Sequence, residues 1–350
     1  MRVLLTGGSG FIGSAVCRYL VLHKRWNVLN VDNLTYAANL HSLDAIAAAS
    51  NYRFVHGDIC NRQMLDGVFA KFAPDRVLHL AAATHVDRSI TGSVEFIRTN
   101  IEGTHVLLEA ARAYWSRLAA NDKSQFCFVH VSTDEVYGSL GATGHFVEQT
   151  PYAPRSPYAA SKAASDHLVN AWQATYGLPV IVTNCCNNYG PCQFPEKLIP
   201  LMILNALEGK ELPVYGDGHH VRDWVYVEDH VEALVLVLTK GIPGNRYNIG
   251  ARHERTNLEI VHAICDTLDN IRPGGSPRHN LVRFVADRPG HDRRYAIDPS
   301  KIETELGWRA QESFASGLEK TVRWYLDNRA WWQPLRDRVY GGERLGLTNA

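Results

Sequence analysis

Short apolar runs alternate with segments of helical periodicity over the first half of the chain. The apolar runs predict strands at 2–6, 26–31, 52–56, 76–80, 126–131 and 180–183. The segments between them predict helices over 13–22, 61–72, 93–117 and 158–175. A strand, a helix and a second strand form a βαβ unit, whose two strands lie parallel in one sheet. This alternation predicts an α/β fold built on a parallel sheet.

The pattern becomes less regular after about residue 188. Prolines interrupt the second half, and the end of the chain is rich in tryptophan. A chain of 350 residues is too long for one small core and favours one large domain or two unequal units. We predict a first domain over 1–188, to which the chain returns around 223–243. A smaller lobe, mainly over 189–350, is predicted to cover the ligand edge of the sheet.

The charge balance limits the classes of partner. Lysine plus arginine and aspartate plus glutamate both total 36, so the formal net charge at pH 7 is zero. A protein that binds nucleic acid without sequence preference usually has a surplus of basic residues. We therefore expect no nucleic-acid partner, although a few arginines can still bind phosphate locally.

Targeting, cysteine and metal signals are weak. No signal-peptide pattern precedes the first predicted strand, and no apolar run reaches the roughly 18 residues of a membrane span. The seven cysteines are scattered and form no CxxC pair, which is typical of a reduced cytosolic protein. His253 and Glu254 begin like an HExxH motif, but Asn257 stands where the second histidine is needed. We expect a cytoplasmic protein without a membrane partner or a metal.

A glycine-rich turn lies between the first predicted strand and the first predicted helix. Gly7, Gly10 and Gly13 have GxxGxxG spacing, and Asp32 follows about 20 residues later at a strand end. Glycine permits close approach of the backbone to a pyrophosphate, and the helix N-terminus donates free N–H groups to the phosphates. Asp32 would accept hydrogen bonds from ribose hydroxyl groups and repel a 2′-phosphate. The turn predicts NAD rather than NADP, against the alternative of a surface turn beside an unrelated aspartate.

Tyr158 and Lys162 are separated by one turn of a predicted helix and therefore share a face. A free phenol has a pKa of about 10 and is a poor base at neutral pH. We predict that the Lys162 ammonium and the positive nicotinamide ring lower the pKa of Tyr158. The phenolate can then take a proton from an alcohol while hydride leaves for NAD. The pair is common by chance on amphipathic helices, so its weight comes from its position after the glycine turn.

Two carboxylates are adjacent in the sequence STDEVYG at 132–138. Asp134 and Glu135 follow the fifth predicted strand, where like charges in a cleft are costly unless something uses them. In different environments such a pair can supply one acid and one base, because repulsion raises the pKa of one carboxyl group. The alternative is a helix cap or a turn rich in aspartate. The pair suits acid–base chemistry on neighbouring carbon atoms.

These motifs together resemble the extended short-chain dehydrogenases/reductases that act on nucleotide sugars, and among them the 4,6-dehydratases. The resemblance covers nearly the whole chain. It rests on TGGSGFIGS (6–14), LTYAANL (34–40), HVDRS (85–89), STDEVYG (132–138), YAASK (158–162), NNYGPCQFPEKLIPLMILNAL (187–207), YGDGHHVRDWVYVEDH (215–230) and DRPGHDRRYAID (287–298). It implies a Rossmann-type doubly wound NAD domain, a smaller mixed α/β lobe for the nucleotide sugar, and a homodimer.

Two positions depart from the family pattern. Family members usually have Ala-Ala-Glu-Ser before His-Val-Asp, whereas this chain has Ala82, Ala83, Thr84 and His85. Thr84 keeps the hydroxyl group, but Ala83 lacks the carboxylate and any hydrogen bond that the carboxylate made. Ser9 replaces the commoner alanine in the glycine turn, a small change that should fit.

The resemblance implies that the substrate is dTDP-glucose and that the product is a 4-keto-6-deoxy sugar. Tyr158, supported by Lys162, takes the C4 hydroxyl proton, and Thr133 hydrogen-bonds the same oxygen. Glu135 then removes the acidified C5 proton as general base. Asp134, if protonated, donates to the C6 hydroxyl group, which leaves as water. NAD carries hydride from C4 to C6 and is regenerated.

Matching to the family assigns further residues. The implied NAD site comprises Gly7, Gly10, Phe11, Ile12, Gly13, Asp32, Asn33, Thr35, Asp58, Ile59, Leu80, Ala81, Ala82, Thr99, Tyr158, Lys162 and Asn188. The implied nucleotide-sugar site comprises Thr84, Thr133, Asn187, Lys197, Leu198, Pro213, Tyr215, Arg222, Asn257, Arg288 and His291. Arginine suits a diphosphate because its fork donates two parallel hydrogen bonds, although each arginine here has the alternative of a surface ion pair. Tyr215 is equally consistent with core packing, and Asp58 with a helix cap.

Several alternatives stay open. A 4-epimerase or a uronate decarboxylase on the same fold needs NAD and the Tyr–Lys pair, but neither needs an acid–base pair for C5 and C6. An NAD-binding regulator with a silent site is expected to lack Tyr158 or Lys162, and both are present. A metal-dependent dehydratase needs a cluster of ligands that the sequence does not show. Thymine and uracil differ by one methyl group, and the sequence does not decide between them.

Overall fold

A computed structural model describes residues 1–346 of the chain. The strands are β1 (Arg2–Thr6), β2 (Asn27–Asp32), β3 (Tyr52–His56), β4 (Arg76–His79), β5 (Cys127–Thr133), β6 (Val180–Cys185), β7 (Asn187–Tyr189), β8 (Leu212–Tyr215), β9 (Val221–Arg222), β10 (Trp224–Tyr226), β11 (Arg246–Ile249), β12 (Arg255–Thr256) and β13 (Val282–Val285). The α-helices are α1 (Phe11–Leu22), α2 (Arg62–Phe72), α3 (Val86–Thr91), α4 (Ser93–Phe96), α5 (Thr104–Ser116), α6 (Ala120–Gln125), α7 (Pro157–Tyr176), α8 (Leu198–Leu207), α9 (Val227–Lys240), α10 (Asn257–Ile271), α11 (Ser300–Leu306), α12 (Phe314–Asp327) and α13 (Arg329–Arg338). Short 3₁₀ turns lie at Leu40–Leu43, Asp134–Tyr137 and Arg278–Leu281, and a π-helical segment lies at Ile97–Gly103.

The central sheet has seven parallel strands in the order β11-β6-β5-β4-β1-β2-β3. The strand order reverses between β1 and β4. A crevice opens at such a reversal, beyond the carboxyl ends of the strands, and doubly wound proteins bind their ligands there. The predicted α/β class with a Rossmann-type doubly wound sheet is confirmed.

Helices cover both faces of this sheet because successive side chains of each strand point to opposite sides. Val3 and Leu5 of β1 are buried in one apolar cluster together with residues of α1 and α9. Leu4 is buried in a second cluster with residues of α2, α5 and α7. Burial on both faces explains why the strands read as continuous apolar runs in the sequence.

The second lobe has its own apolar core, to which α8, α10, α12 and α13 contribute. Its strands form short pairs: β7 with β10, β8 with β13, and β9 with β12. Between these pairs the chain returns to the large sheet, where α9 packs and β11 extends the edge beside β6. The return therefore continues beyond the predicted 223–243 to include β11. The division at residue 188 stays a prediction, and residues 347–350 of the predicted lobe lie outside the described residues.

The segment 93–117, for which helices are predicted, is helical in three consecutive pieces. The segment comprises α4, the π-helical segment Ile97–Gly103 and α5. Asn100 within the π-helical segment is buried, and its side chain accepts a hydrogen bond from Ala83 N and donates to Ser161 Oγ, each at 2.8 Å. Such single-turn π segments are frequent at functional sites, and this one brings Thr99 to the cavity described below.

Within residues 1–346, no helix is both long enough and apolar enough to cross a lipid bilayer. All seven cysteines are free thiols, five of them buried.

Candidate active site

Two neighbouring cavities open at the carboxyl edge of the sheet. The first has a volume of about 310 Å³ and is lined by the glycine turn and by the ends of the central strands. The second has a volume of about 220 Å³ and extends into the second lobe. The residues that line both cavities are Glu135, Tyr158, Asn187, Glu196 and Lys197. The tyrosine and one of the paired carboxylates therefore lie where the two cavities meet.

The glycine turn packs too closely on neighbouring backbone for side chains. Gly7 has a φ of 77°, and a Cβ atom there would lie 2.6 Å from Ala81 N. A Cβ atom on Gly13 would lie 2.1 Å from the Gly7 carbonyl oxygen. Helix α1 begins directly after Gly10 with no side-chain cap, so its first N–H groups stay available to an anion. The turn therefore fits a pyrophosphate.

Gly13→Ala is expected to destabilise the fold, whereas Gly10→Ala is not. The new methyl group at residue 13 would overlap the Gly7 carbonyl group, and such overpacking costs about 1–3 kcal/mol. Gly10 has a φ of −80°, and its Cβ atom would lie 3.5 Å from the same oxygen, an ordinary contact. Thermal unfolding of both variants after removal of cofactor measures the difference, and equal losses of stability would contradict this account of the turn.

Asp32 ends β2 and is buried beside the turn. Its two carboxylate oxygens accept hydrogen bonds from the backbone N–H groups of Ser9 and Leu34, each at 2.8 Å. Burial raises the pKa of Asp32, and these two bonds oppose that shift. A carboxylate accepts about four hydrogen bonds, so capacity remains for ribose hydroxyl groups. Rejection of a 2′-phosphate by Asp32 stays a prediction.

Asp58 lines the first cavity after β3. It accepts a hydrogen bond from Cys60 N at 2.9 Å and pairs with Arg98 at 3.3 Å. The helix-cap alternative is wrong, because the side chain of Asn61 caps α2 by accepting from Met64 N. Contact of Asp58 with an adenine stays a prediction.

Every residue predicted to bind the cofactor lines the first cavity. These residues are Gly7, Gly10, Phe11, Ile12, Gly13, Asp32, Asn33, Thr35, Asp58, Ile59, Leu80, Ala81, Ala82, Thr99, Tyr158, Lys162 and Asn188. A glycine cradle for phosphates, a carboxylate for a ribose and a buried lysine form a set that fits NAD.

Helix α7 presents Tyr158 and Lys162 to the first cavity. Ser156 starts the helix, since its hydroxyl oxygen accepts a backbone hydrogen bond from Ala159 at 3.1 Å. Lys162 is buried, and its ammonium donates to the Val131 carbonyl oxygen at 2.9 Å. Burial lowers the pKa of Lys162 to about 8. The lysine therefore carries its charge at neutral pH but loses it in mildly alkaline solution.

In the protein without cofactor, the pKa of Tyr158 lies above its ordinary value, and lowering of that pKa by Lys162 together with a nicotinamide ring stays a prediction. Burial raises the pKa of Tyr158 well above its ordinary value, and the negative charge of Glu135 adds to the shift. A hydrogen bond with Thr133 acts in the opposite direction. Burial is the largest cause, and a positive charge placed beside the phenol would favour its ionised form.

Asp134 and Glu135 begin the 3₁₀ turn Asp134–Tyr137 at the end of β5. The Thr133 hydroxyl oxygen caps this turn by accepting from Glu135 N at 3.3 Å. The alternative of an acidic turn is thus correct as local structure, but it does not explain why Asp134 is only 1% exposed. Within residues 1–346, Asp134 Oδ2 has no hydrogen-bond partner. A buried carboxyl group with an unused oxygen lines the cavity.

The two carboxyl groups have different electrostatic surroundings. Burial raises the pKa of Asp134 well above its ordinary value, and repulsion by Glu135 is a smaller cause. Repulsion therefore contributes as predicted, but burial is the larger cause. Burial also raises the pKa of Glu135, but the positive charges of Arg288, Arg222 and Lys197 oppose the shift. Asp134 is disposed to stay protonated as an acid, and Glu135 to ionise as a base.

Arg222 lies in the wall of the second cavity and is buried. Its guanidinium donates to the carbonyl oxygens of Val221 at 2.7 Å and Asp292 at 2.8 Å, and lies 4.1 Å from the ring centre of Tyr295. The alternative of a surface ion pair is therefore wrong for Arg222. Carbonyl partners leave its charge unneutralised, which makes the cavity attractive to an anion.

Arg288 and Tyr215 are held together by Asp87 of α3. Arg288 pairs with Asp87 at 2.6 Å, and the Tyr215 hydroxyl group donates to the other carboxylate oxygen at 3.3 Å. Arg288 does form an ion pair, but inside the cavity wall rather than on the outer surface. Tyr215 is half-buried in the same wall, so the core-packing alternative is wrong.

All residues predicted to bind the nucleotide sugar line one or both cavities. Thr84 and Thr133 line the first, and Asn187 and Lys197 line both. The second is lined by Leu198, Pro213, Tyr215, Arg222, Asn257, Arg288 and His291.

His220, Asp287 and His291 are the one group among residues 1–346 whose donor atoms lie close enough for a metal ion. The two imidazole rings are stacked, with centroids 3.6 Å apart and planes inclined by 10°. Imidazole binds a metal in its ring plane, and the lone pairs of parallel stacked rings do not converge on one point. Asp287 instead accepts from His291 Nδ1 at 2.6 Å, which positions His291 in the cavity wall.

Glu196 is a cavity residue that the sequence analysis missed. Its side chain is 1% exposed, and its oxygens accept hydrogen bonds from Tyr36 at 2.8 Å and Arg88 at 2.7 Å. The Arg88 guanidinium also lies 3.9 Å from the ring centre of Tyr36. The cluster ties the second lobe to the first domain at the junction of the cavities. The sequence indicated Glu196 only through its position next to Lys197 in the family motif at 187–207.

The two departures from the family pattern fit the structure. Asn100 accepts from Ala83 N at 2.8 Å and donates to Ala83 O at 3.0 Å, so backbone bonds hold this segment without the family's carboxylate. The Ser9 hydroxyl oxygen accepts from Asn30 Nδ2 at 3.4 Å. Neither change obstructs a cavity.

The fold and the site define an NAD-dependent enzyme of the extended short-chain dehydrogenase/reductase class. One similar solved structure is dTDP-glucose 4,6-dehydratase from Streptomyces venezuelae with NAD and dTDP bound, at 48% identity and a TM-score of 0.88. The match covers 96% of this chain and 100% of that one. UDP-glucose 4-epimerase from Thermus thermophilus, in complex with NAD, is 30% identical with a TM-score of 0.82, over 94% and 100% of the two chains.

The sequence comparisons separate these two activities. A family model described as GDP-mannose 4,6 dehydratase matches residues 4–321. A probable dTDP-glucose 4,6-dehydratase of Sinorhizobium fredii is 60% identical over 347 residues, and the dTDP-glucose 4,6-dehydratase of Neisseria meningitidis serogroup B is 58% identical over 350 residues. Each match covers 99% of both chains. The chain belongs to the dTDP-glucose 4,6-dehydratase family.

Proposed function

We propose that the protein converts dTDP-glucose to dTDP-4-keto-6-deoxyglucose by removing water across C5 and C6. The observation that carries this proposal is the pair Asp134 and Glu135, buried beside Tyr158 where the cavities meet. A 4-epimerase or a decarboxylase needs the tyrosine and the lysine but has no use for an acid and a base on adjacent carbons. The two differently tuned carboxyl groups therefore favour a dehydratase.

The first cavity would hold NAD, which accepts the C4 hydride of the sugar and returns it to C6. Gly7, Gly10 and Gly13 leave room for the pyrophosphate, and Asp32 faces the ribose position. Lys162 lies next to the catalytic tyrosine on α7 and supplies a positive charge to the site. Asn188 also lines this cavity, and its side-chain oxygen bonds His230 at 2.8 Å, which fixes its amide.

Tyr158 and Thr133 act on the C4 hydroxyl group. Tyr158 lines both cavities, so a sugar in the second cavity can reach it beside a nicotinamide in the first. Its phenolate takes the C4 proton as hydride leaves, which is general base catalysis. Thr133 is buried next to it at the end of β5 and donates to the same oxygen. The resulting C4 ketone makes the C5 hydrogen acidic.

Glu135 and Asp134 then remove water. Glu135 takes the C5 proton, and the positive charges of Arg288, Arg222 and Lys197 favour its ionised form against the effect of burial. Asp134, whose pKa burial holds well above its ordinary value, is protonated and donates to the departing C6 hydroxyl group. The proton on Glu135 returns to C5 after hydride reaches C6, which restores Glu135. Asp134 has given its proton to the departing water and Tyr158 holds the proton from the C4 hydroxyl group, so transfer of that proton to Asp134 through solvent restores both groups.

The second cavity would bind the nucleoside diphosphate. Arg222, Arg288 and Lys197 place three positive charges in its wall, which suits a diphosphate. Tyr215 and His291 offer flat faces to the base, and Asn257 begins α10 at the same wall. Thr84, Asn187, Leu198 and Pro213 complete the surface around the substrate.

The proposal is tested by incubating the purified protein with dTDP-glucose, without added reductant, and analysing the sugar by mass spectrometry. We expect the product to have lost one water while bound NAD shows no net reduction. UDP-glucose serves as the matched control, since one methyl group is worth about 10–200-fold in a fitted apolar pocket. Equal turnover of both nucleotides would remove dTDP from the proposal. Epimerised or decarboxylated UDP-sugars without loss of water would overturn it.

We propose further that the protein is a homodimer that pairs through the π-helical segment, α5 and α7, which pack side by side on one face of the first domain. Val94 and Ile97 at the start of this surface are 77% and 55% exposed, and such exposed apolar groups mark interfaces. Sedimentation equilibrium should give twice the chain mass of 39.1 kDa. A mass of one chain at micromolar concentration would exclude this arrangement.

A cytoplasmic location is also part of the proposal. Seven free thiols are expected in a reducing compartment, because oxidising compartments favour disulfides. Fractionation of the source cells with an antibody against the protein tests this, and recovery outside the cytoplasm would contradict it.

A further inference from the structure

A chain of buried polar groups continues from Lys162 into the interior, away from both cavities. Nε2 of His130 on β5 lies 3.4 Å from Lys162 Nζ and 3.2 Å from Asp166 Oδ1. Asp166 lies one helical turn after Lys162 on α7. All three side chains are buried, with exposures of 3% or less. The reaction described above assigns no role to His130 or Asp166.

Asp166 is held as a carboxylate. Its Oδ2 accepts hydrogen bonds from Tyr152 at 2.7 Å, Ser132 at 2.8 Å and Asn184 at 3.4 Å. Burial alone would raise the pKa of Asp166, but the hydrogen bonds and nearby positive charge outweigh burial and lower it. A buried anion is costly unless a cation compensates it. The cation across the imidazole is Lys162.

His130 stays neutral between these two charges. Burial and the neighbouring ammonium lower the pKa of His130 to about 4. Nε2 of the neutral imidazole faces both groups and either accepts from Lys162 or donates to Asp166, so the ring fixes the positions of the two charges on either side of one atom. Within the described residues 1–346, neither His130 Nδ1 nor Asp166 Oδ1 has a hydrogen-bond partner, and the His130 ring packs with its centroid 5.1 Å from that of His79, so the ring is held by packing and by its polar contacts at Nε2.

We infer that Asp166, acting through His130, is a positioning residue that keeps the Lys162 ammonium charged and aimed at the reaction centre. The inference rests on the proposed dehydratase function. Lys162 must keep its proton to supply positive charge beside Tyr158. Burial disfavours the charged form of Lys162, and the carboxylate of Asp166 is the largest of the causes that favour it. The titratable groups that surround the ammonium come from β4, β5, β6 and α7: His79, His130, Cys185, Tyr158 and Asp166.

The first test is the pH profile of turnover in Asp166→Asn. The parent enzyme should lose activity above about pH 8, where Lys162 loses its proton. Without the carboxylate, this basic limb should move to lower pH by about one unit or more, because a neighbouring opposite charge shifts a pKa by roughly 1–3 units. The KM for dTDP-glucose should change little, since Asp166 does not line either cavity.

Tyr152→Phe is the matched control. It removes a hydrogen bond from the same Asp166 oxygen but leaves the carboxylate and the path through His130. This variant should lose stability and keep the parental basic limb. If Asp166→Asn does not fold, His130→Phe should shift the limb, whereas His130→Gln, which keeps a polar group, should restore it. If turnover of Asp166→Asn, or of both histidine variants, falls at the same alkaline pH as turnover of the parent enzyme, the inference is overturned.

A second readout does not depend on turnover. A lysine whose folded pKa of about 8 lies below the unfolded value of about 10.4 releases its proton first in the folded protein. Stability therefore gains from this group as pH rises between those values. In Asp166→Asn the gain should begin at lower pH, as measured by urea unfolding across that range. A parent enzyme inactive on dTDP-glucose would contradict the proposed function, whereas an unshifted onset of this gain would contradict the inference alone.

Discussion

Tyr158→Phe is expected to slow oxidation of C4 by about 10²–10⁴-fold, the usual contribution of a positioned acid–base group. Phenylalanine keeps the ring and its edge contact with Phe96 but removes the oxygen that takes the C4 proton. Stopped-flow absorbance of reduced cofactor, after mixing with dTDP-glucose, isolates this step because it precedes loss of water. The amount of bound NAD and the affinity for substrate should change little, since removal of the hydroxyl group leaves the backbone and the shape of the cavities unchanged.

The pH dependence adds a second signature. Tyr158 must lose its proton and Lys162 must keep its own, so the parental rate should rise with pH and fall above about 8. The residual rate of Tyr158→Phe should lack the rising limb. Tyr176→Phe, at the exposed far end of α7, is the matched control and should behave as the parent. A rising limb that survives in Tyr158→Phe would assign the proton transfer to another group.

Local sequence patterns were enough to predict most strands of the central sheet. Strands 2–6 and 52–56 were predicted with the bounds that the structure has, because each is an apolar run ended by a glycine turn or a Gly-Asp pair. The sequence predicted a parallel sheet of the doubly wound class but not the order of its strands, since strand pairing depends on contacts between distant segments. β11 was missed for that reason: four residues, Arg246–Ile249, become a strand only beside β6.

The candidate site could be predicted where it follows strand ends. Parallel strands bring their carboxyl ends to one edge, so Asp32, Thr133 and Asn187 converge although they are distant in sequence. Glu196 could not be found in this way, because its partners Arg88 and Tyr36 lie 108 and 160 residues away. Sequence spacing carries no information about such contacts.

The electrostatics were predicted less well than the positions. Counting charged neighbours predicted that repulsion raises the pKa of one of the two adjacent carboxyl groups, and that the Lys162 ammonium and a nicotinamide ring lower the pKa of Tyr158. In the protein without cofactor, burial is the largest cause for Asp134 and for Tyr158, and it raises both pKa values. Burial depends on how the second lobe closes over the sheet, which no local pattern reports.

Asp134→Asn and Glu135→Gln are expected to separate oxidation of C4 from loss of water. Each removes one proton-transfer group and keeps the side-chain shape, so dehydration should slow by about 10²–10⁴-fold. Oxidation of C4 depends on Tyr158 and should continue, so the cofactor should accumulate in its reduced form. Near-ultraviolet absorbance follows the cofactor, and mass spectrometry of quenched samples follows the sugar. Glu232→Gln, an exposed carboxylate on α9, is the matched control and should not accumulate reduced cofactor.

The two variants should differ from each other when the reaction is run in deuterated water. Glu135→Gln lacks the base for C5, so the C5 hydrogen of recovered sugar should not exchange with solvent. Asp134→Asn keeps that base but cannot protonate the C6 hydroxyl group, so C5 should exchange while water is retained. The difference follows from the surroundings of the two groups, since Arg288, Arg222 and Lys197 oppose the pKa rise of Glu135, whereas Asp134 has an unused buried oxygen and a pKa well above its ordinary value although Arg222 acts on it as well. Exchange in Glu135→Gln and none in Asp134→Asn would reverse the two roles, and parental dehydration in both would remove the pair from the mechanism.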